Sequence, residues 1–98
     1  MKKMILILTQ CFPSRVGGIE TLMYNIALNL SYSNDVVVLA DQQNFKEDNI
    51  FDQNEINFST KRFRGIKFLR NRKKFNELKK IHSSSKIDAV ISDSWEKS

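Results

Sequence analysis

Met4-Ile5-Leu6-Ile7-Leu8, followed by Phe12-Pro13-Ser14-Arg15-Val16-Gly17-Gly18-Ile19-Glu20, decides how the remainder of the chain is read. A continuous branched apolar run ahead of proline and a glycine pair is the pattern of a strand buried on both faces of a parallel sheet. Pro13 holds Phe12 extended and removes a ladder donor. Beyond the glycines, Ile19, Leu22, Met23, Ile26, Ala27 and Leu30 recur at steps of three and four, which predicts a helix whose apolar face covers the sheet. Glu20, Thr21, Asn25 and Asn29 fall off that face. Gly17 and Gly18 lack Cβ atoms where the chain turns into the helix, so a ligand anion can approach N–H groups at the positive end of the helix dipole.

Working outward, Val36-Val37-Val38-Leu39-Ala40 predicts a second buried strand after a polar turn at Ser31–Asn34, completing a βαβ unit with a right-handed crossover. Residues 41–54 are polar and acidic and read as a surface loop with at most a helical turn, anchored by Phe45, Ile50 and Phe51. The alternation in Glu55-Ile56-Asn57-Phe58-Ser59-Thr60 predicts a half-exposed strand near the sheet edge. Gly65 precedes a helix over 67–82 with a narrow apolar stripe, Phe68, Phe75, Leu78 and Ile81, and Ser83-Ser84-Ser85 ends it. Ile87-Asp88-Ala89-Val90-Ile91-Ser92 predicts a fourth strand. The fold class expected is α/β, a Rossmann-like open parallel sheet of order 3-2-1-4, with the topological switch point between strands one and four. Loops leaving the carboxyl ends of those two strands, residues 12–18 and 93–95, should flank one crevice.

The sequence has 98 residues, 41% of them hydrophobic, which suits one small domain burying roughly 60–70% of the surface its unfolded chain exposes. Cys11 is the single cysteine, so no internal disulfide forms, and it reads as a small buried filler at the end of the first strand. Met1-Lys2-Lys3 with a five-residue apolar run is too short for a signal peptide or a membrane span, so a cytoplasmic location is expected. No Ser-His-Asp set, Cys/His cluster or phosphate-binding lysine loop is present, which leaves hydrolase, zinc and P-loop readings unsupported. No cofactor or metal is expected; His82 stands alone at a helix end, where a cation suits the dipole.

The net charge of +5 is uneven: residues 61–80 carry ten Lys and Arg against Glu77 alone, a local +9, and the rest of the chain sums to −4. This basic segment admits three accounts: a solvated face, a nucleic-acid patch, or a surface for anionic lipid. With the segment's aromatics needed by the sheet, few remain for base stacking, and nucleic acid is the least favoured partner.

Phe12-Pro13, Gly17-Gly18-Ile19-Glu20, Tyr24-Asn25-Ile26-Ala27 and Val36–Ala40 together resemble the N-terminal domain of the retaining GT-B glycosyltransferases of family 4, over essentially the whole chain. The resemblance implies an acceptor-side domain of an enzyme that transfers a sugar from a nucleotide-sugar donor to a glycan or lipid-linked acceptor, as in polysaccharide biosynthesis. It implies that Gly17 and Gly18 lie near the donor diphosphate through backbone amides. It places Asp93 at the end of the fourth strand as the catalytic-site residue, in a slot where many members carry a His. A carboxylate there orients a hydroxyl or accepts its proton, but does not donate to phosphate as an imidazolium does. Arg15 either binds an anion or is solvated; Glu20 is either a substrate ligand or a first-turn acid favoured by the dipole; Trp95 either stacks on sugar or base or packs on the domain. Most donor contacts in the family belong to a second domain, so these residues are expected to form a fragment inactive alone. Lipid-linked acceptors would bring the basic segment to the inner face of the cytoplasmic membrane. The alternative reading is a non-catalytic module that uses its basic helix to hold an anionic membrane or nucleic acid.

Overall fold

A computed structural model describes residues 3–10, 12, 13, 17–42, 44–55, 57–64, 67–84 and 86–92. The elements run β1 (Met4–Thr9), α1 (Gly18–Ser31), β2 (Asp35–Asp41), α2 (Phe45–Asn54), β3 (Ser59–Phe63), α3 (Lys67–Ser84) and β4 (Ala89–Ser92). The four strands form one parallel sheet in the order β3-β2-β1-β4, as the strand composition predicts. β1 pairs from Met4↔Asp35 to Thr9↔Ala40 on one side and from Ile5↔Ala89 to Leu8↔Ser92 on the other. Both of its edges are therefore paired, and Ile5, Leu6 and Ile7 are all buried between the layers on its two faces.

Side-chain alternation divides the sheet into two faces. Ile5, Ile7, Val36, Val38 and Ala40 meet Met23 and Ala27 of α1, together with Phe12 and Phe58, in a single core cluster. Phe51 brings α2 to the same face through edge contacts with Phe12 and Tyr24, at ring-centroid distances of 5.9 and 5.7 Å. On the opposite face Leu6 and Leu39 are fully buried and Asp41 accepts a hydrogen bond from Lys74 of α3 at 2.7 Å. Helices thus cover both faces, the arrangement that right-handed crossovers impose on this strand order.

Several expectations change, and β4 begins at Ala89 rather than Ile87. Residues 41–54 are not a loop: Phe45–Asn54 is a ten-residue helix. Its apolar periodicity is poor, but Asn44 caps it by accepting from the Glu47 N–H at 3.1 Å, and Glu47 and Asp48 suit the dipole in its first turn. The edge strand begins at Ser59, not Glu55. Glu55 accepts instead from both the backbone and side-chain nitrogens of Asn57, a local arrangement that competes with ladder pairing, and Phe58 turns into the aromatic cluster. On α1, Glu20 is buried although its position falls off the apolar stripe, whereas Ile19 and Leu22, at the stripe's edge, are exposed. Phe75 of α3 is likewise exposed, while Lys74 is buried.

Candidate functional site at the carboxyl edge

Thr9, Asp41, Phe63 and Ser92 end their strands on one rim of the sheet, and Ser92 stands opposite Leu8, so the carboxyl ends of β1 and β4 adjoin at the switch point. Gly17 is the N-cap of α1 and Gly18 its first residue. Gly17 has φ 166°, an extended conformation, so no left-handed geometry requires glycine. A Cβ on Gly17 would instead meet the tip of the Glu20 side chain, which would have to shift to admit it. Gly18 has open space where its Cβ would stand and is exposed. No side chain caps the helix at Gly17, whose carbonyl accepts from the Thr21 N–H at 3.1 Å and the Thr21 hydroxyl at 2.9 Å.

Glu20 occupies the third helical position, from which an acid can reach back toward the N-cap, and its carboxylate lies against Gly17. The first turn of α1 therefore carries an anion of its own on the Gly17 side and leaves the Gly18 side open. The structure brings Gly17, Gly18 and Glu20 together in this way. Arg15, Asp93 and Trp95, along with Cys11 and Gly65, lie outside the described residues, as does the Phe68 side chain.

Arg62, one basic residue among ten in its segment, takes a central place on the rim. Its pairing with Ala40 turns it to the α1–α2 face, where its side chain is only 7% exposed. The guanidinium donates to both Asp52 carboxylate oxygens at 3.1 and 2.9 Å, to the Asp41 carbonyl at 3.3 Å, and to the Pro13 carbonyl. Asp48 lies 3.6 Å from it, and its carbon lies 5.6 Å from the Phe12 ring centroid, within cation–π range. One side chain thus ties the segment after β1 to the end of β2 and to α2. Asp41 joins this system from the other face, since its carboxylate takes the Lys74 ammonium while its carbonyl takes Arg62. Two cations and three carboxylates are concentrated at the ends of β2 and β3, all hydrogen-bonded or ion-paired.

Away from this rim, Tyr24 donates its hydroxyl proton to Glu55 at 2.9 Å, and that bond raises its pKa above 10.0. Glu77 accepts from Lys61 at 2.5 Å, which holds its carboxyl below the ordinary range. Among the described residues no group of three or more His, Cys, Asp or Glu is placed to hold a metal ion, and no helix is long and apolar enough to cross a membrane. No protein-family model matches the chain, and no curated protein matches it.

Proposed function

We propose that the chain is the acceptor-side domain of a glycosyltransferase that moves a sugar from a nucleotide-sugar to a glycan or lipid-linked acceptor. The observation that carries this reading is the glycine pair opening α1 at the carboxyl end of β1, beside the junction with β4. In open α/β sheets ligands gather at such a switch point. The first-turn N–H groups of a helix are orphan donors with a positive partial charge, suited to a diphosphate. Glu20 then has two compatible uses, since its carboxylate offsets part of that charge and is an acceptor for a sugar hydroxyl. The sequence resemblance supports Asp93 as the catalytic-site residue and Arg15 and Trp95 as further substrate ligands.

The test is amide chemical-shift mapping of the whole chain with a nucleoside diphosphate and with free sugar. Gly17, Gly18 and Ile19 amides are expected to shift, with affinity no tighter than millimolar, because the resembled enzymes place most donor contacts on a second domain. Gly18→Ala, which meets no atom, should leave the melting temperature unchanged or slightly raised while weakening the diphosphate response. Shifts confined to α3, or none at the start of α1, would remove this reading.

A further inference from the structure

The outer half of α3 has a composition that neither packing nor the proposed transfer reaction uses. The helix turns Lys74 inward to Asp41, and its sole acid, Glu77, toward Lys61. Leu78 and Ile81 are half-buried on that same inner side. Outward stand Arg72, Lys73, Lys79 and Lys80, all exposed, with no carboxylate among them. Between these cations Leu69 is 43% and Phe75 52% exposed, and the Lys79 ammonium lies 5.1 Å from the Phe75 ring centroid. The set from Leu69 to Lys80 extends over roughly 16 Å of helix.

A merely solvated face needs the charges but not the two large apolar side chains. A single-strand nucleic-acid platform needs successive aromatic rings, and among the described side chains this face offers Phe75, already engaged by Lys79. Cations interleaved with apolar side chains on the outside of a helix suit a lipid headgroup layer, where ammonium and guanidinium groups meet phosphates and apolar groups reach the acyl boundary. We propose that the outer half of α3 docks this protein on a bilayer surface containing anionic lipid, with Arg72, Lys73, Lys79 and Lys80 at the headgroups and Leu69 and Phe75 inserted between them. The inference rests on α3 alone and stands whether or not the chain takes part in sugar transfer.

The experiment is co-sedimentation of the whole chain with phosphatidylglycerol–phosphatidylcholine vesicles and with pure phosphatidylcholine vesicles over a salt series. Binding is expected to the mixed vesicles, falling with salt as screening shortens to within about 8 Å at physiological ionic strength. Each cation near the surface is worth about fivefold in partitioning, so Lys79→Glu with Lys80→Glu should reduce binding by about 25-fold or more. Phe75→Ser should reduce it by about tenfold while leaving its salt dependence in place. A control of equal charge change, Lys3→Glu with Lys46→Glu, uses exposed residues outside α3 and should have a much smaller effect. All these positions are exposed, so unchanged melting curves are expected throughout. Equal binding to both vesicle types overturns the proposal, as does a control pair as damaging as the α3 pair. Tight salt-sensitive binding to a single-stranded oligonucleotide with no vesicle preference would assign the face to nucleic acid and also overturn it.

Discussion

An arginine in an edge strand ordinarily extends into water, yet Arg62 is folded under α2 and holds Asp52, the Asp41 and Pro13 carbonyls and the face of Phe12 at once. Breaking such a pair by removing one partner leaves the other charges in place, and here these are Asp52 and Asp48, the latter 1% exposed and keeping only its other contacts, among them the Asn44 N–H. Arg62→Leu is therefore expected to cost about 3 kcal/mol in urea unfolding. Arg62→Lys should recover only part of this, because an ammonium has no planar fork to span the Asp52 carboxylate. Adding Asp48→Asn to Arg62→Leu should be milder than the sum of the two single changes, since both remove the same ion pair. A loss below about 1 kcal/mol for Arg62→Leu would show that the network contributes as little as an exposed pair. Nothing in the sequence singles out Arg62 or Lys74 from their neighbours. Their burial follows from the register of β3 against β2 and from the rotation of α3, neither of which a local pattern encodes. Gly17 is legible as a special position, but its contact with the Glu20 carboxylate appears only when the helix turn brings that residue back.

α1 and α2 are joined at the element scale by one hydrogen bond and a shared aromatic cluster. Tyr24 meets Phe12, Phe51 and Phe58 through its ring and Glu55, the C-cap of α2, through its hydroxyl. The folded-state pKa of Tyr24 is raised above its ordinary 10.0, chiefly by the bond to Glu55. The resulting stabilisation is fully present below the unfolded value and is lost as pH rises through the higher folded value. Wild-type stability should therefore fall in the alkaline range above 10.0. Tyr24→Phe, which keeps the ring, should lose about 1 kcal/mol at neutral pH and show no such Tyr24-linked decline. Identical alkaline limbs in the two proteins would separate Tyr24 from the effect. The strands β1 and β2 and the helix α1 were readable because apolar runs and a single amphipathic period mark them. α2 was not, because its buried side carries Asp48 and Asp52 for Arg62, so hydrophobic periodicity reports a loop where capping and ion pairing make a helix.

At the scale of the whole molecule, the two outer strands of the described sheet differ in character. β3 carries Lys61 and Arg62, whereas β4 is Ala89-Val90-Ile91-Ser92, without charge or proline. Among the described residues no strand pairs with the outer side of β4, and Val90 is 47% exposed. Tyr24 points α1 toward α2, and the exposed Ile19 and Leu22 stand on the flank away from α2. An unblunted apolar edge recruits other chains. Sedimentation velocity should show concentration-dependent self-association, and Val90→Lys should return a monomer with the parallel sheet intact. A wild-type monomer at high concentration, or association indifferent to Val90→Lys, would locate no contact at β4. The strand order itself was legible, since two βαβ-like halves meeting beside a central strand leave few arrangements under the rules of handedness.

That central placement of β1 also sets the order in which the protein can be assembled as it is made. β2 follows β1 after a short interval, but the strand on its other side, β4, arrives only at Ala89. At about 5–20 residues per second, the Ile5–Leu8 side of the nascent sheet waits on the order of ten seconds for its partner. During that interval β1, α1, β2, α2 and β3 can already have closed around Arg62, while the most apolar strand presents a bare ladder to whatever is near the ribosome. The nascent chain is thus most exposed to chaperone capture or misassembly just before β4 emerges.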